Sequence, residues 1–227
     1  VFDRKLGEML GGDRSDPPFV GIMSNGTSGD INNINFRNRG RGMAPYEKMN
    51  QVGNAVAAEV YRVYQTMAFQ DWVKLDARYE ELELQPRRPT PEMVAYARER
   101  IDRPRQPGEK PWHVNELTYA RSVLRAVDAP GPVRVPLQAF RLGDLGIAAT
   151  PIETFVEVGL ELKARTPFTQ TFTISIANGA YGYMPTVEQH KLGGYETWLG
   201  TNRLEFEAAP KMVTSLLGML KDLNAAK

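Results

Sequence analysis

The stretch richest in reactive side chains runs from Asn178 to Thr197 and reads NGAYGYMPTVEQHKLGGYET. It combines tyrosines, glycines and one of the chain's 2 histidines in an order that suits neither one helix nor one strand. A phenol can donate a hydrogen bond to a developing oxyanion, and it can bind a metal once its proton is lost. A single tyrosine is more often a packing residue. Three in one glycine-rich, polar segment, Tyr181, Tyr183 and Tyr195, favour a functional site.

Two other places carry candidate chemistry. The loop SNGTSGDINNINF, residues Ser24–Phe36, follows a short apolar run, and loops at strand ends often carry ligands in α/β folds. Glu153 follows the apolar run IAATPI at the start of a predicted helix. Its carboxylate either stabilises that helix through the helix dipole or serves as a zinc ligand at a strand end. We expect the loop and the 178–197 segment to meet, with Glu153 between them.

Histidine is scarce, which limits the kinds of site that this chain can build by itself. His113 lies in a proline-rich stretch and is expected at the surface, whereas His190 is expected on a short helical turn. These two residues cannot form a three-histidine zinc site, and they do not indicate a Ser-His-Asp triad. The motif GTSGD in the first loop lacks the lysine of a phosphate-binding P-loop.

Periodicity and capping residues predict the elements that must position these side chains. Helices are expected at residues 2–10, 46–69, 115–127, 151–164 and 210–223, and another begins after the N-cap Thr90. Strands are expected at 19–24, 72–84, 169–176 and 203–208, with a hairpin turn at Gly143-Asp144. This order predicts the α/β class: mixed, largely antiparallel sheets flanked by helices, an α-β-β-α layered domain or part of one.

Composition narrows the function classes. The apolar share of 42% and the charged share of 24% are typical of a globular protein. A net charge of +1 with scattered basic residues gives no nucleic-acid footprint, and no apolar run is long enough to predict a transmembrane segment. The absence of cysteine excludes disulfides and thiolate metal sites without deciding the compartment. The chain opens inside an amphipathic helical pattern, so we expect a fragment or a processed piece.

Three motifs in order carry a resemblance to a known family: NGTSGDINN, GIAATPIETF and NGAYGYMPTVEQHKLGGYET. Together they resemble the neutral/alkaline ceramidase family, and most closely the bacterial ceramidase-like proteins. The similarity covers nearly the whole chain. It implies that residues 1–227 are the C-terminal portion of a ceramidase-like catalytic domain, whose N-terminal remainder lies before Val1.

The resemblance implies a zinc-dependent hydrolase that cleaves the amide bond of a ceramide-like or other N-acyl lipid with metal-activated water. It implies that Glu153 and Tyr183 bind Zn²⁺ together with histidines that precede this chain. It assigns Tyr195 to stabilising the oxyanion. A secreted or periplasmic location, a role in sphingolipid metabolism and contact with a membrane surface are further implications.

One residue departs from the family pattern. Asn32 occupies the position at which the family loop carries an active-site serine. Asparagine cannot be a nucleophile, but its amide can donate to an oxyanion or orient a water molecule. The predicted catalytic residues are therefore Tyr195 and Asn32. The alternative is a non-catalytic ceramidase-like protein that binds a lipid or a glycan.

Overall fold

The structure is a computed structural model that describes residues 1–12, 15–38, 40, 42–103, 105 and 108–226. The chain forms two compact units. The first contains Val1–Ser24 and Asn32–Val73, and the second contains Asn25–Ile31 and Lys74–Lys227.

The first unit is built from two helices, α1 (Phe2–Leu10) and α2 (Glu47–Tyr64). Helix α1 ends where predicted, because Gly11 adopts a left-handed φ of 67° that most residues avoid. Helix α2 is shorter than the predicted 46–69. Its stripe of apolar residues remains largely exposed: Met49, Val52, Val56, Val60 and Val63.

The predicted strand at 19–24 is wrong. This segment has no regular structure, and Val20 and Ile22 are 69% and 84% exposed. A strand is stable only when a neighbour completes its hydrogen-bond ladder. All strands of the two sheets lie in the part of the chain after Val73, so no strand of the first unit is available to pair with this segment among the described residues.

The second unit is organised by a four-stranded sheet of order β1-β2-β3-β5. Its strands are β1 (Leu75–Leu84), β2 (Val133–Leu142), β3 (Leu145–Ala149) and β5 (Gln170–Ile174). The first three are antiparallel neighbours, and β5 runs parallel to β3. The β2–β3 hairpin turns at Gly143, as predicted, with a φ of 59°.

Helices cover this sheet and supply most of its core. Helix α7 (Ala208–Ala225) packs on the sheet, and α5 (Val156–Arg165) packs against β5 and α7. The predicted apolar face of α7 is buried: Met212, Leu216, Leu217 and Leu220. Helices α3 (Pro91–Asp102) and α4 (Glu116–Val127) form a separate pair. Thr90 caps α3 as predicted, since its hydroxyl accepts a hydrogen bond from the Met93 amide.

A second, two-stranded sheet pairs β4 (Glu153–Thr154) with β6 (Tyr183–Met184). After β6 come the short helix α6 (Val187–Leu192) and a 3₁₀ turn, Tyr195–Thr197. The predicted strand at 203–208 is wrong: only Leu204 forms a bridge, with Pro86, before α7 begins. The predicted fold class, a mixed α/β domain with a largely antiparallel sheet and flanking helices, is confirmed. In the part of the chain that the structure describes, no helix has the length and apolarity to cross a membrane.

Candidate active site

Two of the predicted metal ligands face each other on neighbouring strands. Glu153 of β4 and Tyr183 of β6 are direct partners in the parallel pairing. The pairing is held by backbone hydrogen bonds: the Glu153 amide donates to the Gly182 carbonyl at 2.8 Å and the Tyr183 amide donates to the Thr201 carbonyl at 2.9 Å. Residues in register on adjacent strands project their side chains to the same face of a sheet. The carboxylate and the phenol are therefore presented side by side.

Glu153 does not lie in the first turn of a helix, so the helix-dipole explanation of this carboxylate is wrong. Residues 151–152 form a bend, Glu153 begins β4, and α5 starts only at Val156. The acidic partner at the start of α5 is Asp30, whose carboxylate accepts a hydrogen bond from the Val156 amide at 2.9 Å. Glu153 is instead held by strand pairing and leaves its carboxylate free of that role.

The start of the first loop lies beside β4, as expected. The Gly29 amide donates to the Thr154 carbonyl at 2.9 Å, and the Ser175 amide donates to the Asn25 carbonyl at 2.9 Å. Gly29 is so close to β4 that an added Cβ would lie 2.7 Å from the Glu153 carbonyl oxygen. Glu153 thus lies between this loop and the strand that carries Tyr183.

Asn32 is placed in the first compact unit, whereas Glu153, Tyr183 and Tyr195 belong to the second. Its side chain is exposed, and its amide oxygen accepts a hydrogen bond from the Ile34 amide at 3.2 Å. The structure therefore shows a local loop contact for Asn32. Its catalytic role stays a prediction.

The remaining predicted site residue, Tyr195, is in direct contact with Tyr183. The hydroxyls of Tyr183 and Tyr195 lie 3.2 Å apart, and their rings meet edge to face with centroids separated by 5.5 Å. Tyr195 is 44% exposed on the 3₁₀ turn, whereas Tyr183 is partly buried. The arrangement gives one sheltered phenol next to a carboxylate and one phenol that solvent or a ligand can reach.

The environment of Tyr183 keeps its phenol protonated. Burial is the largest cause that raises the pKa of Tyr183 well above its usual value, and hydrogen bonding to Tyr195 and to Glu153 raises it further. Both burial and a neighbouring carboxylate disfavour the phenolate. A cation placed against both oxygens would have the opposite effect, because it would offset the charge of the carboxylate and stabilise the phenolate.

A buried polar network behind the tyrosines was not predicted. Asn202 is buried; its amide donates to the Tyr183 carbonyl at 3.0 Å and accepts from the Arg87 guanidinium at 3.2 Å. Arg87 also donates to the carbonyl of Thr197 in the 3₁₀ turn. The hydroxyl of Thr201 donates to the carbonyl of Tyr195. Arg87 and Asn202 together join the strand of Tyr183 to the turn of Tyr195, and nothing in the local sequence signals that link.

His190 lies on α6, as predicted, and takes no part in the tyrosine pair. Its ring meets that of Phe206 edge to face at 4.5 Å, and its Nδ1 has no hydrogen-bond partner among the described residues. Burial, together with the positive charge of Arg87, lowers the pKa of His190 to about 4. The imidazole is therefore neutral at neutral pH.

Acid should destabilise the protein through His190. Between about pH 6.5 and 4 the unfolded chain binds a proton at this residue that the folded chain does not, so the free energy of unfolding falls as the pH falls. The variant His190→Gln should lose that part of the pH dependence. Thermal unfolding at several pH values in this window measures it. An identical dependence in both proteins would contradict the assigned environment.

The prediction that His113 lies at the surface holds only in part. His113 is partly buried in a cluster with Trp112, Tyr119 and Trp198, in which the Trp198 ring lies 4.6 Å from Trp112 and 4.7 Å from Tyr119. The cluster joins the start of α4 to the end of the 3₁₀ turn. Trp112, His113 and Tyr119 are close in sequence, but Trp198 lies about 80 residues later, so no local pattern reveals the complete cluster.

Glu153 and Tyr183 are the donors that could contribute to a divalent metal site. Glu153 and Tyr183 offer a carboxylate and a phenol oxygen side by side, both of which are suitable ligands for a hard or borderline cation. Within the described ranges, no group of three or more His, Cys, Asp or Glu side chains lies together in a way that could hold a metal. The pair supplies two oxygen donors, and a metal site built on it would need further ligands.

The structure matches that of neutral ceramidase from Pseudomonas aeruginosa with a TM-score of 0.58 and 17% sequence identity, over 98% of this chain and 40% of that chain. The fold is similar to that of neutral ceramidase. A ceramidase complexed with C2 matches with a TM-score of 0.55 and 16% identity, over 82% of this chain and 36% of that one. No protein-family profile matches the sequence, and no curated protein matches it.

The resemblance to ceramidases that the motifs predicted is thus confirmed in the fold. At 17% identity this likeness concerns the ceramidase fold and not the reaction. The chain spans about 40% of the length of the Pseudomonas neutral ceramidase chain that it matches. The roles of Glu153, Tyr183, Tyr195 and Asn32 stay predictions.

Proposed function

We propose that this protein is part of a zinc-dependent hydrolase that cleaves the amide bond of a ceramide-like or other N-acyl lipid. The observation that carries the proposal is the grouping of Glu153, Tyr183 and Tyr195. Glu153 and Tyr183, which each offer an oxygen donor, are direct partners in a short parallel sheet. The Tyr195 hydroxyl lies 3.2 Å from the Tyr183 hydroxyl. The similarity to the fold of neutral ceramidase supports the choice of an amide substrate.

Glu153 and Tyr183 would hold the metal. When bound, zinc supplies a Lewis acid that polarises a carbonyl and lowers the pKa of water to about 7. A catalytic zinc site has about three protein ligands, so the proposal requires more than this pair. The histidines that the family resemblance places before Val1 would complete the set.

Tyr195 would act on the substrate. Tyr195 is 44% exposed, and its hydroxyl would donate a hydrogen bond to the carbonyl oxygen as negative charge develops there. The phenol of Tyr183 would keep its proton until the cation binds, because its pKa is raised. The rigid network of Arg87 and Asn202 would keep both phenols in place, which is what an oxyanion site needs.

Asn32 would orient water or donate to the oxyanion in place of the serine of the family. A lipid amide as substrate would bring the protein to a membrane surface, and a secreted or periplasmic location follows from the family resemblance. The substrate, the membrane contact and the location are proposed for the full protein.

The test is zinc content and amidase activity of the intact protein, measured beside Tyr183→Phe. We expect about one zinc per chain and hydrolysis of short-chain N-acyl sphingosines. Tyr183→Phe should lower both, since it removes a metal ligand and leaves the ring in place. The matched control is Tyr181→Phe, because the Tyr181 hydroxyl faces the Arg134 carbonyl, 3.2 Å away, and not the pair. Unchanged zinc content in Tyr183→Phe would overturn the assigned role.

The second candidate is a non-catalytic ceramidase-like protein that binds a lipid or a glycan. The observation that favours it is Asn32, which replaces a serine and whose amide oxygen is engaged with the Ile34 backbone. The two candidates differ in a direct way. Binding of a short-chain N-acyl sphingosine without its hydrolysis, by an intact protein that holds zinc, would select the second.

A further inference from the structure

A cavity of about 510 Å³ lies in the second unit between the C-terminal end of α4 and the 199–204 segment. Three arginines line it: Arg87, Arg125 and Arg203. The hydroxyl-bearing Ser122 lines it too, and the lining contains no aspartate or glutamate among the described residues. The volume falls in the usual range for small-molecule sites, about 300–1,000 Å³.

The three guanidinium groups are not neutralised by carboxylates within the described part of the chain. Arg125 donates to the Ser122 hydroxyl at 2.9 Å, and Arg203 donates to the Gly200 carbonyl at 3.3 Å. Arg87 donates to the Thr197 carbonyl and to Asn202. Each of these acceptors is uncharged, so the positive charge of the lining is not offset locally.

The end of α4 could have opposed an anion, because the last carbonyls of a helix carry partial negative charge. Here a fourth arginine faces those carbonyls. Arg88 donates to the carbonyl of Ala126 at 3.3 Å and to that of Val127 at 2.8 Å. Arg88 therefore offsets the partial negative charge at this end of α4.

The rest of the lining is apolar. Val133, Tyr181, Leu199 and Leu204 contribute to the wall, and the last two are buried residues of the fold. A cavity with a positive side and an apolar side suits a ligand with the same two parts. Guanidinium groups bind phosphate and carboxylate with strong, charge-assisted hydrogen bonds.

We propose that this cavity is a binding site for an oxyanion, a phosphate or a carboxylate, attached to an apolar group. The cavity is separate from the tyrosine pair, but both contact the 199–204 segment. Leu199, Gly200, Arg203 and Leu204 line the cavity. Between them in the sequence, Thr201 accepts a hydrogen bond from the Tyr183 amide and Asn202 donates one to the Tyr183 carbonyl. Binding is measured without turnover, so the test does not depend on the proposed hydrolysis.

The experiment is calorimetric titration of the protein with octyl phosphate below its micelle concentration. We expect saturable binding of one molecule per chain. Arg125→Gln and Arg203→Gln should each weaken it about tenfold, because each removes a charge-assisted contact from an exposed side chain that the fold does not need. Arg121→Gln is the matched control, since Arg121 is an exposed arginine of α4 that does not line the cavity. It should leave the affinity unchanged.

Three ligands separate the sources of affinity. Octanoate should bind like octyl phosphate and depend on the same arginines, because both join an oxyanion to an alkyl chain. Inorganic phosphate should bind at least about tenfold more weakly, since it gains nothing from the apolar wall. Octanol with equal affinity, inorganic phosphate with equal affinity, or unchanged binding in both arginine variants would each overturn the proposal.

Discussion

Replacement of Gly182 by alanine is expected to destabilise the protein by about 3 kcal/mol or more and to disrupt the tyrosine pair. Gly182 has a φ of 91°, which side chains rarely adopt, and an added Cβ would lie 2.0 Å from the Thr201 carbonyl oxygen. That oxygen belongs to the backbone and accepts the hydrogen bond of the Tyr183 amide. The clash can be relieved only if the strand of Tyr183 moves away from the 199–204 segment.

The matched control is Gly193→Ala, a change in the same segment with a φ of 80° and no atom within 4 Å of the added Cβ. It should cost only the backbone strain, about 1–2 kcal/mol. Chemical denaturation compares the two variants, and tyrosine signals in an NMR spectrum report the pair. If Gly182→Ala were no less stable than Gly193→Ala, the close contact with Thr201 would be refuted.

The variant Tyr195→Phe should lower kcat for an N-acyl sphingosine by about 10²–10³, with little change in zinc content. This is the usual cost of removing one hydrogen-bond donor to an oxyanion. The fold should be unaffected, because Tyr195 is 44% exposed and its hydroxyl has one hydrogen-bond partner among the described residues, the Tyr183 hydroxyl. Circular dichroism and metal analysis check both points.

Tyr181→Phe again serves as the control, since it removes a phenol from the same segment without touching the pair. It should keep kcat within about threefold of the parent, because a single neutral hydrogen bond to a backbone carbonyl contributes roughly 0.5–1.5 kcal/mol to stability and none to the reaction. Equal losses in the two variants would assign both hydroxyls to structure and would remove Tyr195 from the chemistry.

Periodic patterns and local capping chemistry were sufficient to predict most elements. The Thr90-Pro91 start of α3, the turn at Gly143 and the apolar face of α7 each depend on residues close in sequence, and each is present in the structure. The strand predictions for residues 19–24 and 203–208 are wrong because an apolar or alternating run becomes a strand only when it pairs with a suitable neighbouring strand. Which neighbour it meets is a property of the tertiary fold.

The candidate site was predictable in part. Glu153, Tyr183 and Tyr195 were found from residue type and from motif order, and the structure brings them together. The helix predicted to start at residue 151 starts at Val156, because Glu153 belongs to β4, which pairs with β6 across a separation of 30 residues in sequence, from position 153 to 183. Asp30 takes the helix start instead. Such long-range contacts leave no trace in local periodicity.

The supporting groups were not predictable at all. Arg87 and Asn202 are ordinary polar residues in the sequence, and only the fold makes them a buried link between the strand of Tyr183 and the turn of Tyr195. The aromatic cluster of Trp112, His113, Tyr119 and Trp198 is hidden in the same way. Reactive side chains can be recognised in the sequence by their type, whereas the residues that hold them in position become evident only in the fold.

The direct cross-strand pairing of Glu153 with Tyr183 also affects which metal ion the site could prefer. Backbone pairing fixes the gap between adjacent strands at about 4.8 Å, whatever the side chains do. Zinc requires ligands at about 2 Å, whereas calcium takes more oxygens at about 2.3–2.6 Å. Because the backbone spacing is fixed, the side-chain torsions and the side-chain lengths would determine which ionic radius the two oxygens fit. Glu153→Asp, which shortens the reach by one methylene at constant charge, is therefore the change that would retune ion preference without moving the main chain.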